Sequence, residues 1–346
     1  MLRRSFIKYS TLAASAAVFP RTALAASGAW ETLEDMPFKA QEIYPCLYER
    51  GGQEFLFSGG GIAVRLGDPV VRRTALFDPR AGSWTEGVQL PEPRHHMSFV
   101  QLGTQIHAFG GFRRSGTNMW QMRRDHWVID DPLNGSWVER DPMPGPRGEA
   151  VPVVGGGRLH LIGGRVPAAA ANNDWEDHTD TALHWTYDAE NGEWGTRAPL
   201  PVPRNSSAGC VLDGSIYIVS GRTVADRESA VCHRYDLQTD RWEQIAPLPS
   251  ATHGGPPGGQ GGLAAATVGG KIYAFGGEWL SGDLGVFADV WRYDPQADSW
   301  SAMKPMPEPR HGLGAVAIDG AIYVLGGAVG AGGSGVTATL ARYTPA

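Results

Sequence analysis

Residues 306–327 read MPEPRHGLGAVAIDGAIYVLGG. A Pro-Arg corner (Pro309, Arg310) leads into an apolar run from 314 to 318, then an Asp319-Gly320 turn. A second apolar run from 322 to 325 and the glycine pair Gly326, Gly327 follow. Two short β-rich runs around a dipeptide that tolerates positive φ predict a β-hairpin.

The same hairpin recurs at 105–111 (QIHAFGG), 158–164 (RLHLIGG) and 271–277 (KIYAFGG). Two weaker copies stand at 54–60 (EFLFSGG), which lacks the Asp-Gly turn, and 215–221 (SIYIVSG), where Ser220 replaces the first glycine. After the copies come apolar-aromatic runs ending in Phe77-Asp78, Ile129-Asp130, Tyr187-Asp188, Tyr235-Asp236, Tyr293-Asp294 and Tyr343-Thr344. A tryptophan follows each of the first five, at 84, 137, 194, 242 and 300, at intervals of 53, 57, 48 and 58 residues. A period near 50 marks a repeat architecture in which no unit buries its faces alone.

With glycine pair, Tyr-Asp and Trp recurring in one order, the chain resembles the kelch-repeat family from Trp30 to its C-terminus. That resemblance implies an all-β fold, a six-bladed β-propeller of four-stranded antiparallel blades over residues 26–346. The last repeat ends after its third strand. The segment Ala29-Trp30-Glu31-Thr32 matches Ser299-Trp300-Ser301-Ala302 and is expected to supply the missing outer strand, so that the last blade is closed by the N-terminal strand and no sheet edge stays open.

Residues 1–25 read as a targeting segment. Leu2-Arg3-Arg4-Ser5-Phe6-Ile7-Lys8 resembles a twin-arginine export motif, followed by a modest apolar stretch and Ala23-Leu24-Ala25 as a cleavage site. The expectation is a periplasmic or secreted protein with no membrane anchor after cleavage. Four of the 30 basic residues (Arg3, Arg4, Lys8, Arg21) fall in that segment. The remainder carries 26 against 36 acidic residues, or −10, which argues against nucleic acid as a partner. Three cysteines, Cys46, Cys210 and Cys232, are too few for a disulfide framework and are expected as buried free thiols.

In a four-stranded meander, the blade-to-blade corners and the segments after the glycine pairs emerge on one end. The corners carry Lys39, Arg94, Arg147, Arg204 with Asn205, His253 and Arg310. A cationic mouth is therefore expected, suited to an anionic small molecule or glycan because a guanidinium presents paired donors to a planar anion. Arginine after Pro-x-Pro is also part of the kelch pattern, where it serves to bond loop carbonyls. Glu149, His95 and His311 are the candidate proton-transfer groups at this mouth.

Glu176, Asp180 and His184 form an E-x-x-x-D-x-x-x-H pattern similar to the iron-binding motif of kelch-type specifier proteins, which implies Fe(II) as cofactor. Four residues of strand span roughly 13 Å, so one ion requires this stretch to be looped or helical. Bacterial N-acetylneuraminate epimerase is similar in architecture and compartment, and implies carbohydrate epimerase-like chemistry on an acidic sugar. The other reading, from a different class, is a non-catalytic propeller that grips a protein partner or glycan. A Glu or Asp converging with a His within about 3 to 5 Å at the floor of the mouth separates the two.

Overall fold

A computed structural model describes residues 28–63, 69–225, 227–252, 255–256 and 258–346. The targeting segment lies outside the described residues, as does His253. The described chain forms an all-β, six-bladed propeller, each blade a four-stranded antiparallel sheet. From the axis outward, the first blade consists of Cys46–Arg50, Gln53–Gly59, Thr74–Asp78 and Ser83–Glu86. Blades two to five open with the inner strands Ser98–Leu102, Val151–Gly155, Ala208–Leu212 and Ala264–Val268. The sixth combines Gly314–Ile318, Ala321–Leu325 and Leu340–Thr344 with the N-terminal strand Ala29–Thr32, paired Ala29↔Thr344 and Trp30↔Tyr343. The ring closes as the repeat count predicts.

The repeated residues each have a mechanical task. The aromatic residue ending the third strand packs on the tryptophan of the fourth as a tilted pair: Phe77–Trp84 at 5.1 Å, Tyr235–Trp242 at 4.9 Å, Tyr293–Trp300 at 5.0 Å. The aspartate that follows caps the turn between those strands, as Asp78 Oδ1 does by accepting from the amides of Arg80 and Ala81. The indole N–H then reaches the preceding blade: Trp84 donates to Glu34 O, Trp137 to Val88 O, Trp242 to Ala198 O and Trp300 to Ala246 O. Trp30 continues this pattern across the seam by donating to Lys304 O.

The apolar core is divided among the interfaces between blades. Each cluster mixes two neighbours; Leu56 and Phe77 of the first blade, for example, pack with Val316, Tyr323 and Leu325 of the sixth. The three cysteines are free and buried within such clusters. The glycine pair follows from close approach. A Cβ on Gly60 would lie 2.5 Å from Arg94 O of the next blade, and one on Gly276 would lie too close to Arg310 O, while both glycines hold positive φ. Ser220 takes that position in the fourth blade at φ 52°, and its hydroxyl donates to the facing carbonyl of Gln260 at 3.0 Å.

Candidate functional site

At one end of the axis, a residue from each corner turns inward with positive φ: Glu42 (55°), His96 (49°), Glu149 (53°), Ser206 (52°), Gly262 (64°) and Gly312 (60°). Their backbones form a collar. His96 N donates to Glu42 O (3.0 Å), Ser206 N to Glu149 O (3.3 Å), Gly262 N to Ser206 O (2.9 Å), Gly312 N to Gly262 O (2.8 Å) and Glu42 N to Gly312 O (2.7 Å). Left-handed backbone costs a non-glycine residue on the order of 1 kcal/mol, and such strain concentrates at functional sites. Four side chains carry it here, and all four are polar.

Those side chains and their neighbours form a second ring drawn from every blade. His96 Nε2 lies 2.9 Å from Glu42 Oε2 and 3.7 Å from Glu149 Oε1. Ser206 Oγ donates to Glu149 Oε2 and is also 3.0 Å from Asn205 Oδ1. Asn205 Oδ1 accepts from Arg222 Nε (3.3 Å), and Asn205 Nδ2 donates to Asp180 Oδ1 (2.6 Å). Arg222 Nη1 donates to Glu278 Oε1 (2.6 Å). His311 Nδ1, 3.4 Å from Glu278 and 3.6 Å from Glu42, completes the circuit.

Above this ring lies a cavity of about 190 Å³ bounded by Glu42, His96, Arg222, Glu278 and His311 and walled by Trp120 and Trp175. The two indoles meet edge to face at 4.8 Å. Trp120 comes from the strand Asn118–Met122 and Trp175 from a 3-10 turn, both in hairpin excursions that follow the glycine pairs. The Arg165 guanidinium stacks 3.5 Å over Trp175. Below the collar, Tyr44 and the inner strands line a narrow axial pocket.

Burial raises the Glu42 carboxyl, yet His96, His311 and Arg222 outweigh it and hold the group well below the usual carboxylate range. Burial, with Glu42 and Glu149 nearby, pushes the Tyr44 phenol well up, so it stays a neutral donor. Burial and the neighbouring His96 bring His95 down to about 3. Arg222 is desolvated, but Glu278, Glu149 and Glu42 more than compensate and raise it. Among the described residues the site pairs carboxylates with cations, and Glu149 Oε1 is buried with no hydrogen-bond partner.

The KLHDC2/KLHL20/DRC7 kelch-repeats domain model matches residues 48–277 and 153–339. The chain belongs to the kelch-repeat family. It is 26% identical over 313 residues to kelch-like protein terF of Aspergillus terreus, covering 87% of this chain and 64% of that protein. Kelch-like protein 34 of Homo sapiens is 25% identical over 252 residues, 70% of this chain and 36% of its own length. The kelch propeller thus spans less than two thirds of these relatives. A solved structure titled "Structure of YjhT" superposes with a TM-score of 0.72 at 16% identity, over 89% of this chain and 95% of that one, which is a likeness of fold.

Placed on the kelch propeller, the corner arginines are not a ligand-facing ring. Arg94, Arg147, Arg204 and Arg310 are at most 1% exposed. Arg147 Nη1 donates to Gly163 O and Leu183 O, and its guanidinium lies 3.9 Å over Trp185. Arg310 Nη1 donates to Gly326 O and Thr339 O, and Arg204 to Ser220 O and Val202 O. Arg94 pairs with Asp125 and Glu92. Each one staples the start of a blade to the ends of its middle strands. Ala40 and Gln260 hold the corresponding places in the first and fifth blades, since their carbonyls accept from Gly327 and Gly221 as Arg94 O accepts from Gly61. The fifth corner is therefore Gln260-Gly261-Gly262, further along the chain than the corner expected at His253, and the stretch before it is an insertion. Lys39 is exposed beside Ala40.

Of the candidate acid-base groups, Glu149 and His311 stand in the ring. His95 sits behind His96, a corner histidine that joins the ring with Glu42, Arg222 and Glu278, none of them among the expected site residues. The expected metal trio does not converge. Both Asp180 oxygens accept hydrogen bonds, from Asn205 and from Val224 N. His184 is buried between blades, its ring nitrogens 2.8 Å from His160 Nδ1 and 3.2 Å from Ala198 O, and Glu176 lies in the 3-10 turn. Among the described residues no group of three His, Cys, Asp or Glu is spaced to hold a metal ion.

Proposed function

We propose that the mouth is a small-molecule site for a sugar-type ligand on which it carries proton transfer of an epimerase or mutarotase kind. The observation that supports this is His96 Nε2 on the wall of a cavity lined by two tryptophans, 2.9 Å from Glu42 beside it and 3.7 Å from Glu149 buried behind it. A pyranose offers an apolar face to an indole and hydroxyls to the polar ring. Opening a cyclic hemiacetal needs a base on the anomeric hydroxyl and an acid on the ring oxygen, two atoms joined through one carbon. Glu149 takes the first proton through Oε1, His96 delivers the second, the ring C–O bond breaks, and reclosure from the other face reverses both transfers. A carboxylate on the ligand would meet Arg222 as its counter-charge, in place of the corner arginines.

The test is a panel of neutral sugars and sugar acids examined by ligand-observed NMR, with anomer exchange followed on those that bind. Glu149→Gln should leave the fold intact and lower exchange by about 10²-fold or more. Exchange at the uncatalysed rate with every sugar would overturn the reading.

A second reading, docking of a protein partner on the mouth rim, draws support from Val224, Leu284 and Val329. These residues are 46%, 59% and 37% exposed on the hairpins of three consecutive blades. Replacing all three by Ser should abolish such docking and leave sugar binding unchanged. Export by the twin-arginine route is part of the proposal, and Arg3→Lys with Arg4→Lys should retain the precursor in the cytoplasm.

A further inference from the structure

We propose that His95 is a positioning residue that keeps hydrogen on both ring nitrogens of His96, so that the mouth rests loaded with a proton for delivery. This deepens the proton-transfer reading above and rests on it. The inference starts at a backbone carbonyl. Met119 O lies 2.6 Å from His95 Nε2 and can only accept, so Nε2 carries hydrogen. The His95 ring is fully buried, stacked on Phe112 at 5.3 Å and edge-on to Trp120 at 5.0 Å, with the Arg94 cation behind it. Burial keeps that ring neutral. A neutral imidazole with hydrogen on Nε2 has a bare Nδ1.

That bare nitrogen is 2.7 Å from His96 Nδ1, which must therefore donate to it. The other nitrogen of His96 faces Glu42 Oε2 at 2.9 Å and Glu149 Oε1 at 3.7 Å. A bare Nε2 there would set its lone pair against a carboxylate oxygen of Glu42, whose ionised form His311 and Arg222 favour independently of His96. Hydrogen on Nε2 turns the same contact into a charge-assisted bond. The remaining neighbours agree: Tyr44, 6.3 Å away between ring centroids, stays a neutral phenol, and Trp120 and Phe112 carry no charge. After Nε2 gives its proton to the ring oxygen, reclosure returns that proton from the ligand hydroxyl to Nε2, while Glu149 gives back the one it took from the anomeric hydroxyl. The site then ends with the protons it began with.

The experiment is long-range proton–nitrogen NMR of protein labelled with ¹⁵N histidine, the His96 signals being assigned with His96→Asn. In the intact protein at pH 7, both ring nitrogens of His96 are expected to be protonated, with His95 protonated on Nε2 alone. His95→Phe removes the acceptor and should cost His96 its two-proton signature. His95→Asn, which restores a side-chain oxygen as acceptor, should bring it back. A merely structural His95 would leave the signature intact in a folded His95→Phe protein, and that result overturns the proposal. A single protonated nitrogen on His96 in the unaltered protein overturns it too, and decides the matter even where His95→Phe does not fold. A doubly protonated His96 in a protein that exchanges no sugar anomers would support this inference and sink the reading on which it builds.

Discussion

His96 Nε2 and Glu42 Oε2 meet at 2.9 Å across the joint between the first two blades, and both residues hold left-handed backbone. The contact ties the collar's geometry to its charge. Three outcomes are expected of the protein's buried charges and of its seam.

Stability should fall as pH drops from 6.5. His107 and His160 are brought down by burial to about 4, and His126 and His184 to about 3, from an ordinary 6.5. A depressed histidine pKa means that the unfolded chain takes up protons the folded one refuses. Their contribution is therefore complete above 6.5 and lost progressively below it. Glu42, also depressed, adds stability that is present above about 4.5 and is lost in stronger acid. Urea midpoints at pH 7.5, 5.5 and 4.5 check the slope. His107→Tyr with His160→Tyr should flatten it between 6.5 and 4, because Tyr217, Tyr273 and Tyr323 occupy the same strand position in the later blades. An unchanged slope would remove the histidine pairs from the account.

Arg147→Ala should destabilise by about 3 kcal/mol, since it strips the donor from the buried Gly163 carbonyl and the part-buried Leu183 carbonyl and leaves a void against Trp185. Ligand affinity of the folded fraction should not move. The measurement is denaturant unfolding paired with sugar titration, and a lost affinity at full stability would restore a ligand-facing role to the corner arginines.

Trp30→Ala should cost about 2 kcal/mol, because the half-buried indole packs 4.9 Å from Tyr343 and bonds Lys304 O at the ring's only non-sequential blade. Deleting the chain through Thr32 should do more, exposing Leu340–Thr344 as an open edge and driving self-association. Monomeric, fully stable truncated protein by sedimentation would show that the seam is held elsewhere.

The blade count and the N-terminal closure were legible in the residues because each kelch repeat writes its hairpin, Tyr-Asp turn and tryptophan locally, within one span of chain. Glu149 and His311 could be found the same way, since both stand at a corner. Glu42 and Arg222 could not. Glu42 stands in a corner without the Pro-Arg pattern, and Arg222 follows a Ser-Gly pair where the other repeats keep two glycines. An insertion displaced the fifth corner to Gln260. The sequence by itself determined how many sheets there are and in what order they close, because those depend on periodicity along the chain. Only the tertiary structure decided which side chains face the axis: it chose the structural task of the corner arginines over the ligand-facing one, by burying them against strand-end carbonyls or, for Arg94, against Glu92 and Asp125, and the polar ring exists only where corners from six blades converge.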